Sequence, residues 1–287
     1  MFSPAPSFDS RHVAAHAATL AVTWTDSEGE PTSPTGAVSV VVIDANGTAV
    51  TSGTATVSTS AVTFAVAASL VTNVAWLYAT WTDTAGVVAR STHEIVGGVY
   101  VGLAVARSLE PSLASYSTAE IRDGRAVAEA EAERLTRQSF VRRYARLELL
   151  SSRMDTLLVP WRPVTAVRSV TPYTSGLAGT AFTADELAAI RILDYGALVR
   201  TVGWSSSYAV EVEHGYQRPP ADVVRAVARR AAYWCRQSTT PTADQQARFV
   251  IEDGRSIQLS TAGLNRTGDD IVDAIYKSYR HIPISVA

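Results

Sequence analysis

Apolar and polar positions along this chain keep one rhythm up to about residue 100 and another after it. In the first stretch the period is two, which puts alternate side chains on opposite faces of a strand. Thr54-Ala55-Thr56-Val57-Ser58 and Val62-Thr63-Phe64-Ala65-Val66 alternate in this way. Trp76, Tyr78 and Thr80 fall on one face of a further strand, and Leu77, Ala79 and Trp81 on the other. Residues 38–43 are a run of β-formers, and Asp44-Ala45-Asn46-Gly47 follows as a turn, because Asn and Gly accept positive φ. Ala21-Val22-Thr23-Trp24-Thr25-Asp26 is echoed by Tyr78-Ala79-Thr80-Trp81-Thr82-Asp83, with Gly a few residues on in each case. The echo predicts two similar strand-to-turn corners closed by Asp and Gly. Short strands parted by turn signals predict a β-sandwich over residues 1–100.

Gly97-Gly98 ends that rhythm, and Glu110-Pro111-Ser112 marks a linker over 101–116. Ser117 and Glu120 then have the spacing of a capping box, and Tyr116 and Ile121 that of a hydrophobic staple. They predict a helix from Ser117 to about Phe140, roughly 35 Å long. Its apolar stripe, Ile121, Ala128, Ala132 and Leu135, is narrow and mostly small, which lets a second helix come close. Glu129, Glu131 and Glu133 are expected on a solvated face. Strands are predicted over 146–150, 156–159, 164–170 and 208–213. Pro219-Pro220 fixes φ at the start of a helix over 221–237, striped by Val223, Val227, Ala231 and Trp234. A hairpin over 249–259 turns at Asp253-Gly254, and a last helix over 269–280 carries the stripe Ile271, Ile275 and Tyr279.

With 287 residues, 47% hydrophobic and 18% charged, the chain has material for about two packed domains. Its formal net charge of -2 argues against a tight general DNA binder, which would carry a basic excess. Lys277 is the single lysine. Arginine forks at subunit interfaces and GC-rich codon usage both account for that bias. Cys235 is the lone cysteine, so no disulfide forms within the chain, and it is expected as a buried small hydrophobe. Met1-Phe2-Ser3-Pro4 lacks the charged and apolar regions of a signal peptide, and no apolar run reaches the roughly 20 residues of a membrane span.

The chain holds no phosphate-binding loop, no Gly-x-Ser-x-Gly elbow and no Cys-x-x-Cys pair. His12 and His16 stand at i,i+4, but the stretch leads into strands and a metal role is not expected. Asp269, Asp270 and Asp273 fit the first turn of a helix, where negative charge offsets the dipole. His214 precedes Gly215 at an expected strand-to-turn bend. No catalytic residue, metal or cofactor is predicted, and the chain is read as a non-enzyme.

Four stretches in order carry a family resemblance. They are Tyr116-Ser117-Thr118-Ala119-Glu120-Ile121, opening a helix that ends at Ser139-Phe140, and Leu157-Leu158-Val159-Pro160-Trp161-Arg162-Pro163-Val164 with Val167-Arg168-Ser169-Val170. Then come Val210-Glu211-Val212-Glu213-His214-Gly215-Tyr216 and Pro219-Pro220-Ala221-Asp222-Val223. Together they resemble the phage head-tail connector family, the adaptor proteins of long-tailed phages, across about residues 115–237. The resemblance implies an α+β chain whose residues 117–287 form a mainly helical connector domain with inserted strands. The added 1–100 domain is similar to immunoglobulin-like modules of phage structural proteins.

Implied partners are the portal protein, a stopper or tail completion protein below, and further copies in a ring, usually a dodecamer. DNA passes through the lumen without sequence-specific binding. The implied location is the neck of the virion, assembled in the host cytoplasm, with no membrane contact. Family members often dock through their C-terminal part, so Leu264, Ile271, Ile275, Tyr279, Ile282 and Ile284 are the expected portal contacts. A near-neutral subunit also suits a conduit that must not hold phosphates. Competing readings are a tail completion protein, a glycan or host-surface module stacking ligands on Trp24, Trp76 or Trp81, and a hydrolase using His214.

Overall fold

The structure is a computed structural model. It describes residues 8–150, 156–174, 177–194, 196–204, 207–239, 249–252, 255–258 and 266–280. The chain is mixed α+β and forms two compact units, neither continuous in sequence. One contains Met1–Gly98 and Val141–Gly215, the other Val99–Phe140 and Tyr216–Ala287. The expected division at residues 100 and 117 therefore runs across these units, because strands of the second half pack with the first hundred residues.

The first stretch contains β1 (Ser10–Val13), β2 (Ala18–Thr23), β3 (Ser39–Asp44), β4 (Ala49–Thr54), β5 (Thr56–Ser58), β6 (Ala61–Val66), β7 (Ala75–Thr82) and β8 (Val88–Val96). The 101–116 stretch is helical where a linker was expected: α1 (Leu103–Leu109) precedes a 3-10 helix over Pro111–Ser115, and Ala106 and Leu113 are buried. Next come α2 (Thr118–Thr136), β9 (Arg143–Leu150), β10 (Thr156–Leu158), β11 (Val164–Thr174), β12 (Leu177–Ala178), α3 (Ala184–Ala188), β13 (Arg191–Leu193), β14 (Ala197–Val199) and β15 (Ser207–His214). The chain continues through α4 (Ala221–Thr239), β16 (Phe249–Glu252), β17 (Arg255–Gln258) and α5 (Asp270–Tyr279). β16 and β17 pair antiparallel as the expected hairpin, whose Asp253-Gly254 turn lies outside the described residues.

In the first unit a five-stranded sheet, β1-β8-β7-β3-β4, shares a core with the three-stranded sheet β2-β6-β5. The period-two pattern predicts the faces correctly. Leu77, Ala79 and Trp81 point into this core with Leu20, Val40, Val62 and Ile95, while Trp76 joins a different one. Each fully buried Val or Leu is worth about 1.5–3 kcal/mol of transfer free energy.

Three corners of this region use one device. Asp26, Asp44 and Asp83 each accept, at Oδ1, the backbone N–H of the second and fourth following residues, at 2.8–3.0 Å. The third following residue is Gly29, Gly47 or Gly86, with φ of 87°, 79° and 83°, a region closed to most side chains. The sequence echo marked the Asp26 and Asp83 corners; Asp44 is a third.

The five-stranded sheet is buried on its other face too. A four-stranded sheet, β12-β11-β15-β9, contributes Tyr144, Leu147, Leu149, Val170, Val210 and Val212 to a second core, which also receives Val74 and Trp76. Trp76 meets Tyr144 edge-on at 5.2 Å.

In the second unit, α2 begins as predicted. Ser117 caps it, Glu120 returns the bond to the Ser117 N–H, and the capping box is complete. The helix ends at Thr136, four residues before Phe140, because Arg137 turns left-handed with φ 57°. A second capping box, Thr183 with Glu186, opens α3 in the first unit; the sequence reading did not mark it.

Candidate functional site

The helical unit holds the expected contact residues, and its packing decides which of them face outward. The small stripe of α2 does admit a close neighbour. A Cβ at Gly124 would stand 2.8 Å from Cys235 Sγ and 2.9 Å from the Ala231 carbonyl oxygen, so only glycine fits against α4. Cys235 is buried, and its Sγ lies 3.4 Å from the Glu120 carbonyl oxygen. Burial, reinforced by Glu120 and Asp123, raises its thiol above the ordinary value. That suits the small hydrophobe expected there.

The three glutamates expected on a solvated face are instead engaged. Glu129 accepts from the Tyr100 N–H at 2.9 Å, and Glu133 from the Tyr100 hydroxyl at 2.7 Å. Glu131 receives two bonds from Arg230 of α4, at 2.7 and 3.0 Å. Both members of that pair are nearly buried, and the guanidinium lies 4.1 Å from the Tyr233 ring centroid. The charged face of α2 is therefore a packing surface, which helical periodicity alone could not reveal.

α5 is set by Asp269, whose side chain accepts from the N–H groups of Ile271 and Val272. The helix buries Val272 and Tyr276, which the predicted stripe left out. Ile271 is 60% exposed and Ile275 partly so. Tyr279 turns inward: its ring meets Phe140 edge-on at 5.3 Å, and its hydroxyl lies 3.0 and 3.1 Å from the two Asp222 carboxylate oxygens. The Gln138 side-chain amide also donates to the Tyr279 carbonyl. The stripe thus separates into an outward residue, Ile271, a partly exposed one, Ile275, and Tyr279, which helps fix the helix. Leu264, Ile282 and Ile284 lie outside the described residues.

Beside α5 a cavity of about 480 Å³ is lined by Leu135, Asp273, Tyr276 and the cations Arg266, Lys277 and Arg280. Asp273 Oδ1 accepts from the Thr267 N–H and hydroxyl, while Asp273 Oδ2 and the Tyr276 hydroxyl are buried without hydrogen-bond partners. Burial, with Glu131 nearby, raises the Tyr276 hydroxyl well above its ordinary value.

No protein-family model and no curated protein matches the chain.

The remaining candidates take structural positions. Trp24, Trp76 and Trp81 are all buried in cores, so none offers the stacking platform that a glycan site would need. His12 lies in β1 and its Nε2 is 2.8 Å from Ser10 Oγ, while His16 lies in the following turn; a shared helix face for them does not form. Among the described residues, no group of three or more His, Cys, Asp or Glu side chains is placed to hold a metal ion. His214 is buried and stacked on Trp161 at 4.9 Å, with Nδ1 unpartnered. Burial, then Arg143, pulls it down to about 3, so it stays neutral near pH 7. Among the described residues, no helix is long and apolar enough to cross a membrane.

The first unit contains a charge cluster that the sequence reading missed. Glu94 of β8 is 1% exposed and binds Arg143 of β9 and Arg11 of β1. No local signal marks it, since the partners lie 83 and 49 positions away.

Proposed function

We propose that this protein is a structural component of a tailed-phage particle, a head-to-tail adaptor subunit, and that it performs no catalytic turnover. What supports the reading is the spatial pairing of the four stretches that resemble the connector family. The helices opened by Ser117 and by Pro219-Pro220, α2 and α4, pack at glycine distance through Gly124. The strand after Arg162-Pro163 and the strand ending at His214, β11 and β15, pair antiparallel from Val164 with His214 to Tyr173 with Ser207. Four phrases scattered over about 120 residues thus become two adjacent pairs, one in each unit.

On this reading, copies assemble as a ring, a dodecamer by family analogy, below the portal and above a stopper or tail completion protein. DNA passes through the lumen, and the near-neutral charge leaves it free to slide. The two sheets sharing one core support an immunoglobulin-like reading of the first hundred residues. Ile271 is the outward apolar residue on α5 through which the C-terminal part meets its partner.

Electron microscopy of the purified chain, alone and with the portal encoded in the same genome, tests the proposal. Rings, or a collar added below the portal, are the expected result. Isolated monomers in both samples overturn it.

A further inference from the structure

The single lysine of this arginine-rich chain, Lys277, lines the cavity beside α5 together with Arg266 and Arg280. The acids nearby leave these cations without counter-charges. Asp269 is bound by Arg229, and Asp273 Oδ1 accepts from both the N–H and the hydroxyl of Thr267. Among the described residues, Arg266, Lys277 and Arg280 form no ion pair, with Asp270 or with any other carboxylate. Three cations against the carboxylates of Asp270 and Asp273 leave the lining net positive, and a concave wall concentrates that field. Asp270, Ala274 and Lys277 are exposed along one face of α5, at i, i+4 and i+7. Ile271 lies about 100° further round the helix from Asp270. The cavity is therefore a second surface of α5, separate from the outward isoleucine.

The first unit presents the opposite charge on a braced corner. Asp26, Glu28 and Glu30 stand at alternate positions after β2. Thr25 and Pro31 bridge the base of the turn, and Asp26 N donates to Glu30 O at 3.0 Å. Asp26 Oδ1 accepts from the N–H groups of Glu28 and Glu30, at 2.9 and 3.0 Å. Their side chains are exposed, and among the described residues neither forms an ion pair. The turn itself does not require them. The same device at Asp44 has Asn46 and Thr48 at the two positions, and at Asp83 it has Ala85 and Val87. Two carboxylates beyond the needs of the fold are thus held where little ordering is left to lose on binding.

We propose that these are the two halves of one contact between copies of this chain. The Glu28–Glu30 corner of one copy enters the cavity of the next, where its carboxylates meet Lys277, Arg266 and Arg280. The two surfaces differ, so the contact is head-to-tail and repeats until it closes as a ring or runs on as a filament. It names the self-contact that the adaptor reading needs, and it rests on that reading for closure into a ring. Exposed ion pairs are weak one by one, so the affinity comes from several made together and falls with salt. A braced corner suits the cavity better than a DNA duplex does, because Asp270 and Asp273 in the wall repel a continuous row of phosphates.

Carbodiimide coupling of the full chain tests this, since it joins an amine to a carboxylate in contact and Lys277 is the single lysine. Chains labelled with 14N and 15N are mixed, alone and with the portal encoded in the same genome, then coupled and digested. The expected product is Lys277 joined to Glu28 or Glu30 in mixed-isotope pairs, with a yield that falls as salt rises. In sedimentation, Lys277→Glu and Glu28→Lys should each weaken self-association about tenfold, and the chain carrying both should recover to within about threefold of the parent. Both positions are exposed, so circular dichroism should stay that of the parent. Lys277 coupled within its own chain alone, single reversals that associate like the parent, or a double variant that fails to recover each overturn the contact. Rings that persist in electron microscopy beside such a result leave the adaptor reading standing while this contact falls. Binding of a short DNA duplex that Lys277→Glu abolishes, with no mixed-isotope coupling, overturns the contact and gives the cavity to nucleic acid.

Discussion

Arg143 holds Glu94 with two parallel bonds, Nε to Oε1 at 2.6 Å and Nη2 to Oε2 at 2.7 Å, joining β9 to β8. The carboxylate has almost no contact with water, so the pair matters mainly through what is left when one partner goes. Arg143→Ala should cost about 3–5 kcal/mol in urea unfolding, because it strands a buried charge. The double variant Arg143→Met, Glu94→Leu should recover most of that loss. Equal losses for single and double variants would show that the carboxylate finds other compensation, Arg11 being the available one.

The contact of α2 with α4 predicts an inverted glycine effect. In an open helix Gly→Ala gains about 1 kcal/mol. At Gly124 the new methyl meets a backbone carbonyl, so Gly124→Ala should lose about 1–3 kcal/mol. Adding Cys235→Ala removes the sulfur but not the Ala231 oxygen, so thermal denaturation should show only partial rescue.

Arg230 binds Glu131 with two nitrogens while its plane covers Tyr233, a geometry that an ammonium cannot reproduce. Arg230→Lys is expected to lower stability by about 1–3 kcal/mol although the charge is kept. A denaturation midpoint equal to that of the parent would refute the bidentate account.

His214 gives the fold an acid limit. Its folded value of about 3 lies below the ordinary 6.5, so the folded chain prefers it neutral. The associated stability is complete above pH 6.5 and drains as pH falls towards 3, by roughly 5 kcal/mol at most. His214→Phe, which preserves a ring against Trp161, should show a shallower decline of urea midpoint between pH 7 and 4 than the parent. Parallel declines would place the acid sensitivity elsewhere.

Ile271 separates assembly from stability. It is exposed, so Ile271→Asp should shift the stability by no more than about 0.5 kcal/mol. If the α5 surface meets a partner as proposed, the same variant should weaken ring or portal association at least tenfold in sedimentation. Undiminished association would remove α5 from the interface.

Features with a local cause were legible in the sequence. Ser117 and Glu120 lie one helical turn apart, and their capping box forms as read. The alternation through Trp76 to Trp81 assigned both faces of β7. Other features depend on residues far along the chain. Nothing near Glu129, Glu131 or Glu133 signals Tyr100 or Arg230, so three paired carboxylates resembled a wet helix face. On α5 the visible stripe of Ile271, Ile275 and Tyr279 competes with Val272 and Tyr276 one position on, and packing against α2 and α4 selects the second set. The strands expected over 146–150, 156–159, 164–170 and 208–213 form, with β11 running four residues further, whereas β12, β13 and β14 carried no expectation, and no pattern states that β9, β11 and β15 bury the outer face of the first sheet.

The discontinuity of the first unit also bears on synthesis and on gene dissection. As the chain leaves the ribosome, Glu94 of β8 has Arg11 but not Arg143, and Trp76 of β7 has Phe8 but not Tyr144; both wait for β9, whose Arg143 lies 49 residues beyond Glu94. The first hundred residues are thus an unfinished product with a sticky sheet face until translation passes residue 215. A fragment cut at the Gly97-Gly98 boundary keeps that face uncovered and is expected to aggregate. Gene fragments intended to isolate either half must carry the interleaved segments with them.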